Sequence, residues 1–186
     1  MTSAATPVRP QRVLFYGVTG SGKSTAAHRY ATATGLPEVS ADDQIGWLPG
    51  WTERGPEDQA RLAGRLTAGE RWVLDTAYAK WSGQVLPRAE LIVALDFARW
   101  VSLSRLVRRT LRRVATGEEV CNGNRESVRR AVARDSIPVW PFKSFPRKRA
   151  RIRKFIDDGD VPVLRFTNPR DLERWLRHIE STSSSH

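Results

Sequence analysis

Gly17-Val18-Thr19-Gly20-Ser21-Gly22-Lys23-Ser24 decides the fold of this 186-residue chain. The octet follows the apolar run Val13-Leu14-Phe15-Tyr16 and precedes Thr25-Ala26-Ala27-His28-Arg29-Tyr30-Ala31. It matches G-x-x-x-x-G-K-[ST] in full, in the strand–loop–helix context the pattern requires. Glycines at Gly17, Gly20 and Gly22 let the backbone curl so that its N–H groups, with those of Thr19, Ser21 and Thr25, form a concave anion site at the positive end of a helix dipole. Lys23 is expected to reach the β- and γ-phosphates of a nucleoside triphosphate, and the Ser24 hydroxyl to ligate the Mg²⁺ that accompanies them. The cofactors expected from these residues are ATP and Mg²⁺.

Outward from the loop, strand and helix signals alternate, which argues for an α/β fold with a parallel sheet. Strands are predicted at Arg12–Tyr16, Glu38–Ser40, Trp72–Asp75, Leu91–Asp96 and Val161–Phe166. Helices are predicted from about Lys23 to Thr34, Pro56 to Ala68, Trp100 to Ala115, Glu126 to Arg134, Pro146 to Ile156 and Pro169 to Ile179. Pro56 at a helix start and Gly69 after its end follow the usual asymmetry of the two termini. A Gly-, Pro- and Trp-rich loop spans Gly46 to Pro56, and Thr116 to Asn124 reads as a loop or flap. Residues 1–180 read as one domain, with a lid at about 112–136 and a low-complexity, disordered tail at 181–186.

Three aspartates fall where open α/β sheets place their ligands, at the carboxyl ends of strands. Asp75 closes Trp72-Val73-Leu74 and is the first choice for holding Mg²⁺ beside a phosphate loop, directly or through water. Asp42 follows the second strand and suits contact with metal, a substrate hydroxyl or its activating base. Asp96 closes the fourth strand. Each also suits simple capping of the next turn. Trp47 and Trp51 lie where a flat side chain could stack on a substrate, whereas Trp72, Trp100, Trp140 and Trp175 read as core.

Net charge is +11, and its placement matters more than its sum. Between Arg99 and Lys154 there are 17 Lys or Arg against 4 acids, so the remainder of the chain is close to neutral. Of 31 basic residues 26 are arginine, whose planar fork pairs with phosphate oxygens. Such a segment suits a polyanion or a solvated helix face. Cys121 is the single cysteine, which excludes an intrachain disulfide and points to a reduced, cytoplasmic setting. His28, His178 and His186 show no metal-ligand spacing. No apolar run approaches a membrane span, and Met1–Pro10 lacks a signal-peptide core.

In the order of phosphate loop, Asp42, Gly46-Trp47-Leu48-Pro49-Gly50-Trp51, Arg71-Trp72-Val73-Leu74-Asp75 and Asp96-Phe97-Ala98-Arg99-Trp100, the chain resembles the adenylate-kinase-like kinases, and within them the topology modulation proteins. The resemblance runs from about Arg12 to Ile179. It implies a P-loop NTPase fold, a five-stranded parallel sheet flanked by helices, with an acceptor-binding segment and an Arg-rich lid. It also implies that Arg105 and Arg109, one turn apart after Asp96, face ATP, the first on the adenine and the second on phosphate. Arg125, Arg130 and Arg134 fall in the lid region. The chain departs from adenylate kinases at Asp75-Thr76-Ala77-Tyr78-Ala79-Lys80, where those enzymes carry the arginine that contacts AMP, so an acceptor other than AMP is expected.

The expected activity is transfer of the ATP γ-phosphoryl group to a small-molecule or nucleotide acceptor, with Lys23, Asp75, Asp42 and Arg109 in the transfer machinery. The alternative is a nucleotide-dependent nucleic-acid-binding protein or polynucleotide end kinase, which the basic segment would suit. No membrane partner is expected, and the chain reads as a monomer or homodimer.

Overall fold

In the computed structural model, residues 9–116, 119–120, 124–125 and 139–183 are described. Five strands form one parallel sheet: β1 (Arg12–Gly17), β2 (Glu38–Val39), β5 (Trp72–Leu74), β6 (Leu91–Leu95) and β9 (Val163–Phe166). Their order is β2-β5-β1-β6-β9, with β1 central and paired to β5 on one side and β6 on the other. Burial explains why Val13-Leu14-Phe15 takes the centre, since all three side chains are fully buried, as a strand covered on both faces requires. Period-two alternation then sends Val13 and Phe15 to one core and Leu14 and Tyr16 to the other.

The first core lies under α1 (Lys23–Thr34) and α5 (Pro169–Ser183), with Tyr30, Phe97, Leu172 and Leu176 at its centre. Tyr30 stacks on Trp175 at 5.4 Å between ring centroids, and Arg29 donates to Glu173 at 2.6 Å and to Glu180 at 2.7 Å, so the two helices are joined by both packing and charge. The opposite core draws on α2 (Pro56–Leu66) and α4 (Val139–Asp158) through Ala63, Ile152 and Phe155, and on Trp72, Trp81 and Val85.

Several boundaries move from the sequence reading. The helix expected to begin at Pro146 begins at Val139 and carries Pro146 inside it. The closing helix runs to Ser183, so Ser181–Ser183 are helical where a disordered tail is expected. Ser181 and Thr182 hydroxyls donate back to the His178 carbonyl, and Arg9 donates to Thr182 and Ser183 at 2.7 Å each, which supplies polar partners that the composition alone does not reveal. Trp100, expected in the core, is 73% exposed at the start of α3 (Arg99–Thr116). The Trp-rich loop is a hairpin of β3 (Trp47–Leu48) and β4 (Thr52–Glu53). Part of the flap is a second hairpin, β7 (Glu119–Val120) with β8 (Asn124–Arg125). The helix expected at 126–134, Cys121, Arg130, Arg134 and the side chains of Arg125 and Trp140 lie outside the described residues.

Asp96, one of the three strand-end acids, serves the fold. Its buried carboxylate accepts from Arg149 Nε at 2.7 Å and from Arg165 Nη2 at 2.5 Å, joining α4 and β9 to the end of β6. Both arginines are partly exposed, which keeps the pair's worth in the range of charge-assisted hydrogen bonds. Asp96→Ala is expected to lower unfolding free energy in urea by about 1.5–3 kcal/mol. Asp96→Asn, which keeps one acceptor, is expected to lose less. Parental stability in both variants would show that the two arginines do not rely on this carboxylate.

Candidate functional site

The loop between β1 and α1 is shaped by glycine at the positions where another residue has no room. Gly20 has φ +81, and a Cβ there would lie 2.3 Å from the Ser102 carbonyl oxygen of α3. Gly22 has φ +92 and occupies the cap position of α1 with no side-chain capping bond, so the first N–H groups of that helix are left facing the loop mouth. Gly17 meets the Leu95 carbonyl on the opposite wall, where a Cβ would approach to 2.8 Å. Thr19 and Gly20 form the turn, Ser21 is buried beneath it, and Ser24 and Thr25 are exposed at the start of the helix.

Asp75 stands directly below this mouth. Its Oδ2 accepts from Ser24 Oγ at 2.7 Å and its Oδ1 accepts from the Ala41 backbone N–H at 2.9 Å. Burial pushes the Asp75 carboxyl up from its ordinary value, while those two hydrogen bonds and the Lys23 ammonium pull the other way. Lys23 is lowered by the protein packed around it. The carboxylates of Asp75 and Asp42 oppose that shift, and the Arg109 guanidinium adds to it. Lys23, Asp75, Asp42 and Arg109 thus share one field. The residues sequence analysis placed in the transfer machinery are brought together.

Asp42 does not simply end a strand. It lies in a π-helical turn, Ala41–Gly46, and its Oδ1 accepts from the Tyr78 hydroxyl at 2.7 Å. Behind this pair is Lys148 of α4, half-buried, with Nζ 4.3 Å from the Tyr16 ring centroid and 5.7 Å from that of Tyr78. Burial pushes the Lys148 ammonium down to about 8; Lys23 and Arg151 act in the same direction and Asp42 opposes them.

On the other flank, a cavity of about 430 Å³ opens between the loop, α1, α3 and the start of α5. Arg105, Arg108, Arg109 and Arg112 line one wall, Thr25 and Leu172 the other. Arg105 and Arg109 share that wall as their i, i+4 spacing predicts. Arg105 has a further role that sequence did not reveal, donating from Nη1 to the Ser21 carbonyl at 3.0 Å and so bracing the loop.

The hairpin carrying Trp47 and Trp51 is tied to the flap. Asn124 accepts from the Trp51 N–H at 2.7 Å and donates to the Leu48 carbonyl at 3.0 Å. Trp47 and Trp51 meet edge to face, 5.7 Å apart.

Tyr78, Lys148 and Asn124 were not found by sequence reasoning. Tyr78 stands in the very stretch where the chain departs from adenylate kinases, which was a usable signal. Lys148 was counted only as charge, although a lysine within an arginine-rich run is an exception that could have marked it. Nothing in the sequence marked Asn124.

Lys148 gives a test with a fixed sign. A lysine whose pKa is lower in the folded than in the unfolded state opposes folding at neutral pH, and the cost fades as pH rises through the interval between the two values. Lys148→Met is therefore expected to raise the melting temperature at pH 7, with the difference from the parent shrinking from about pH 8 toward pH 10.5. A difference independent of pH would show that the ammonium carries no such cost.

No protein-family profile matches the chain. Among solved structures it resembles a shikimate kinase from Acinetobacter baumannii in complex with shikimate, with a TM-score of 0.55 and 16% identity over 93% of this chain and 92% of that one. It also resembles a gluconokinase from Sinorhizobium meliloti 1021, with a TM-score of 0.50 and 16% identity over 95% of this chain and 93% of that one. A sugar kinase from Janibacter sp. HTCC2649 aligns with a TM-score of 0.52 at 17% identity, over 95% of this chain and 94% of that one. These likenesses show the fold, a five-stranded parallel sheet flanked by helices of the P-loop NTPase kind. Uncharacterized protein YqaC of Bacillus subtilis (strain 168) is 32% identical over 174 residues, which is 91% of this chain and 96% of that protein. A phosphate loop, strand-end aspartates and a parallel sheet in this order, with that degree of identity along nearly the whole length, place the chain in the family of YqaC.

Proposed function

We propose that the chain is an ATP-dependent kinase that transfers the γ-phosphoryl group to a small hydroxyl acceptor, of the adenylate-kinase-like kind that includes the topology modulation proteins. The observation that carries the reading is the Ser24 hydroxyl donating to Asp75 Oδ2 at 2.7 Å, at the mouth of the loop and in the field of Lys23. A hydroxyl and a carboxylate are the hard oxygen donors Mg²⁺ takes, in a site where it keeps most of its waters. Ser24 and Asp75 would hold it, and when bound it neutralises charge on the phosphates.

The chain's own residues supply the rest. N–H groups of the loop and of the first turn of α1 hold the phosphate oxygens, and Lys23 bridges the β- and γ-phosphates. Arg105 braces the loop while Arg109 faces the phosphate side of the cavity that receives the nucleoside. Tyr78 fixes Asp42 through Oδ1, so that Oδ2 accepts the acceptor's hydroxyl proton. The acceptor oxygen then forms its bond to the γ-phosphorus as the bond to the bridging oxygen breaks, leaving ADP. Trp47 and Trp51 wall the acceptor side.

The nucleic-acid alternative draws on the basic segment, but three of its arginines are engaged within the protein. Arg105 bonds the loop, Arg149 bonds Asp96 and Arg151 donates to Ser82 at 3.3 Å. No helix among the described residues is long and apolar enough to cross a membrane.

Lys23→Ala is expected to abolish phosphoryl transfer, with ADP formation and product mass as readouts, and to leave the melting temperature near the parent's. Asp75→Asn is expected to lower turnover by roughly 10² or more with smaller change in ATP affinity. Full activity in folded Lys23→Ala would sink the kinase reading. In a paired measurement, Arg105→Ala and Arg109→Ala are each expected to weaken nucleotide binding or turnover at least about tenfold with no nucleic acid present. Normal ATP kinetics together with lost, salt-dependent RNA or DNA binding would favour the alternative.

A further inference from the structure

Phosphate binding leaves one cation of the site without a task. Lys148 does not line the nucleotide-sized cavity, which is walled by the arginines of α3. It stands against the Tyr16 and Tyr78 rings, within the field of Asp42. Among the described residues, no carboxylate lies within ion-pair distance of it. Two rings hold the ammonium instead, at 4.3 and 5.7 Å, with Tyr78 itself anchored on Asp42. Cation–π contact of this kind orients an ammonium while leaving its N–H donors unsatisfied.

The charges nearby are unbalanced in a way that has chemical content. The Asp42 carboxylate favours the charged forms of both Lys23 and Lys148, while both oxygens of Asp75 are bonded to Ser24 and Ala41. Phosphates bound in the loop would answer Lys23. A neutral polyol would leave the half-buried Lys148 ammonium with only the more distant Asp42 carboxylate to offset Lys23 and Arg151, and with no anionic hydrogen-bond partner of its own. An acceptor carrying its own negative group satisfies both.

We propose, on the basis of the kinase reading above, that Lys148 recognises an acidic group of the phosphoryl acceptor, which is therefore a small hydroxyl compound bearing a carboxylate or a phosphate. The acceptor's hydroxyl faces Asp42 and the γ-phosphoryl group; its oxyanion sits on the Lys148 ammonium. Lys148 is thus a specificity-determining residue, and the rings of Tyr16 and Tyr78 aim it.

The test uses the full chain saturated with Mg²⁺ and AMP-PNP, so that the loop is filled, and titrates inorganic phosphate as the oxyanion probe by calorimetry. Lys148→Ala is expected to lose at least about tenfold in phosphate affinity and Lys148→Arg to stay within about threefold of the parent, with AMP-PNP affinity the same in all three. Equal phosphate affinity in parent and Lys148→Ala, or a loss that falls on AMP-PNP instead, overturns the proposal. The second arm offers ATP with matched pairs: gluconate against glucose, glycerate against glycerol, and glycerol phosphate against glycerol. Phosphorylation confined to acid members, with carboxylate and phosphate members separating the two sources of the oxyanion, and KM rising in Lys148→Ala, supports it. Phosphorylation confined to neutral members overturns it while leaving the kinase standing. Loss of AMP-PNP binding in the parent protein would instead bring down the kinase reading.

Discussion

One carboxylate fixes the relation between the two halves of the site. Asp75 accepts through one oxygen from Ser24, at the start of the helix that follows the phosphate loop, and through the other from the backbone of Ala41, where the π-helical turn carrying Asp42 begins. Because β5 lies between β2 and β1, its carboxyl end is the place in the sheet from which a single short side chain reaches both. The charge is buried and bonded on both oxygens, so it cannot be moved without unmaking one side. The field on Lys23 and the start of the turn that carries Asp42 both depend on that anchor.

Charge is organised on two scales. The long basic stretch looks like an outward-facing field when read as a string, but the fold turns several of its members inward. Arg149 meets Asp96, Arg105 meets the loop backbone and Lys148 meets two aromatic rings. Asp75 and Asp96 end the two strands that flank β1 in the same way, yet one faces the loop and the other closes the fold. The difference lies in what stands opposite each: Arg149 and Arg165 for Asp96, Ser24 and Ala41 for Asp75.

The sheet and the phosphate loop were legible because their signals are local. Continuous apolar runs mark strands buried on both faces, and glycine marks the turns that other residues cannot make. Arg105 and Arg109 were legible as a pair through the resemblance to adenylate kinases, with which their i, i+4 spacing agrees. Tyr78 and Lys148 were not, because they lie 36 and 106 positions from Asp42 in sequence and their meaning arises only where the fold brings them together. Trp100 was misread because aromatic size argues for the core, whereas its place in the first turn of α3 leaves it in solvent. The helical end of the chain was misread because serine-rich composition says nothing of docking by Arg9.

Trp51 has φ +59, a left-handed conformation that disfavours any side chain with a Cβ. Such a residue costs about 1–2 kcal/mol, and the hydrogen bonds by which Asn124 accepts from the Trp51 N–H and donates to the Leu48 carbonyl return about 1 kcal/mol each. The junction of the two hairpins is therefore close to isoenergetic, made and unmade at little net cost. A contact balanced in this way can open and re-form without becoming a kinetic trap, and it places strain, not affinity, where the Trp47–Trp51 hairpin meets the flap.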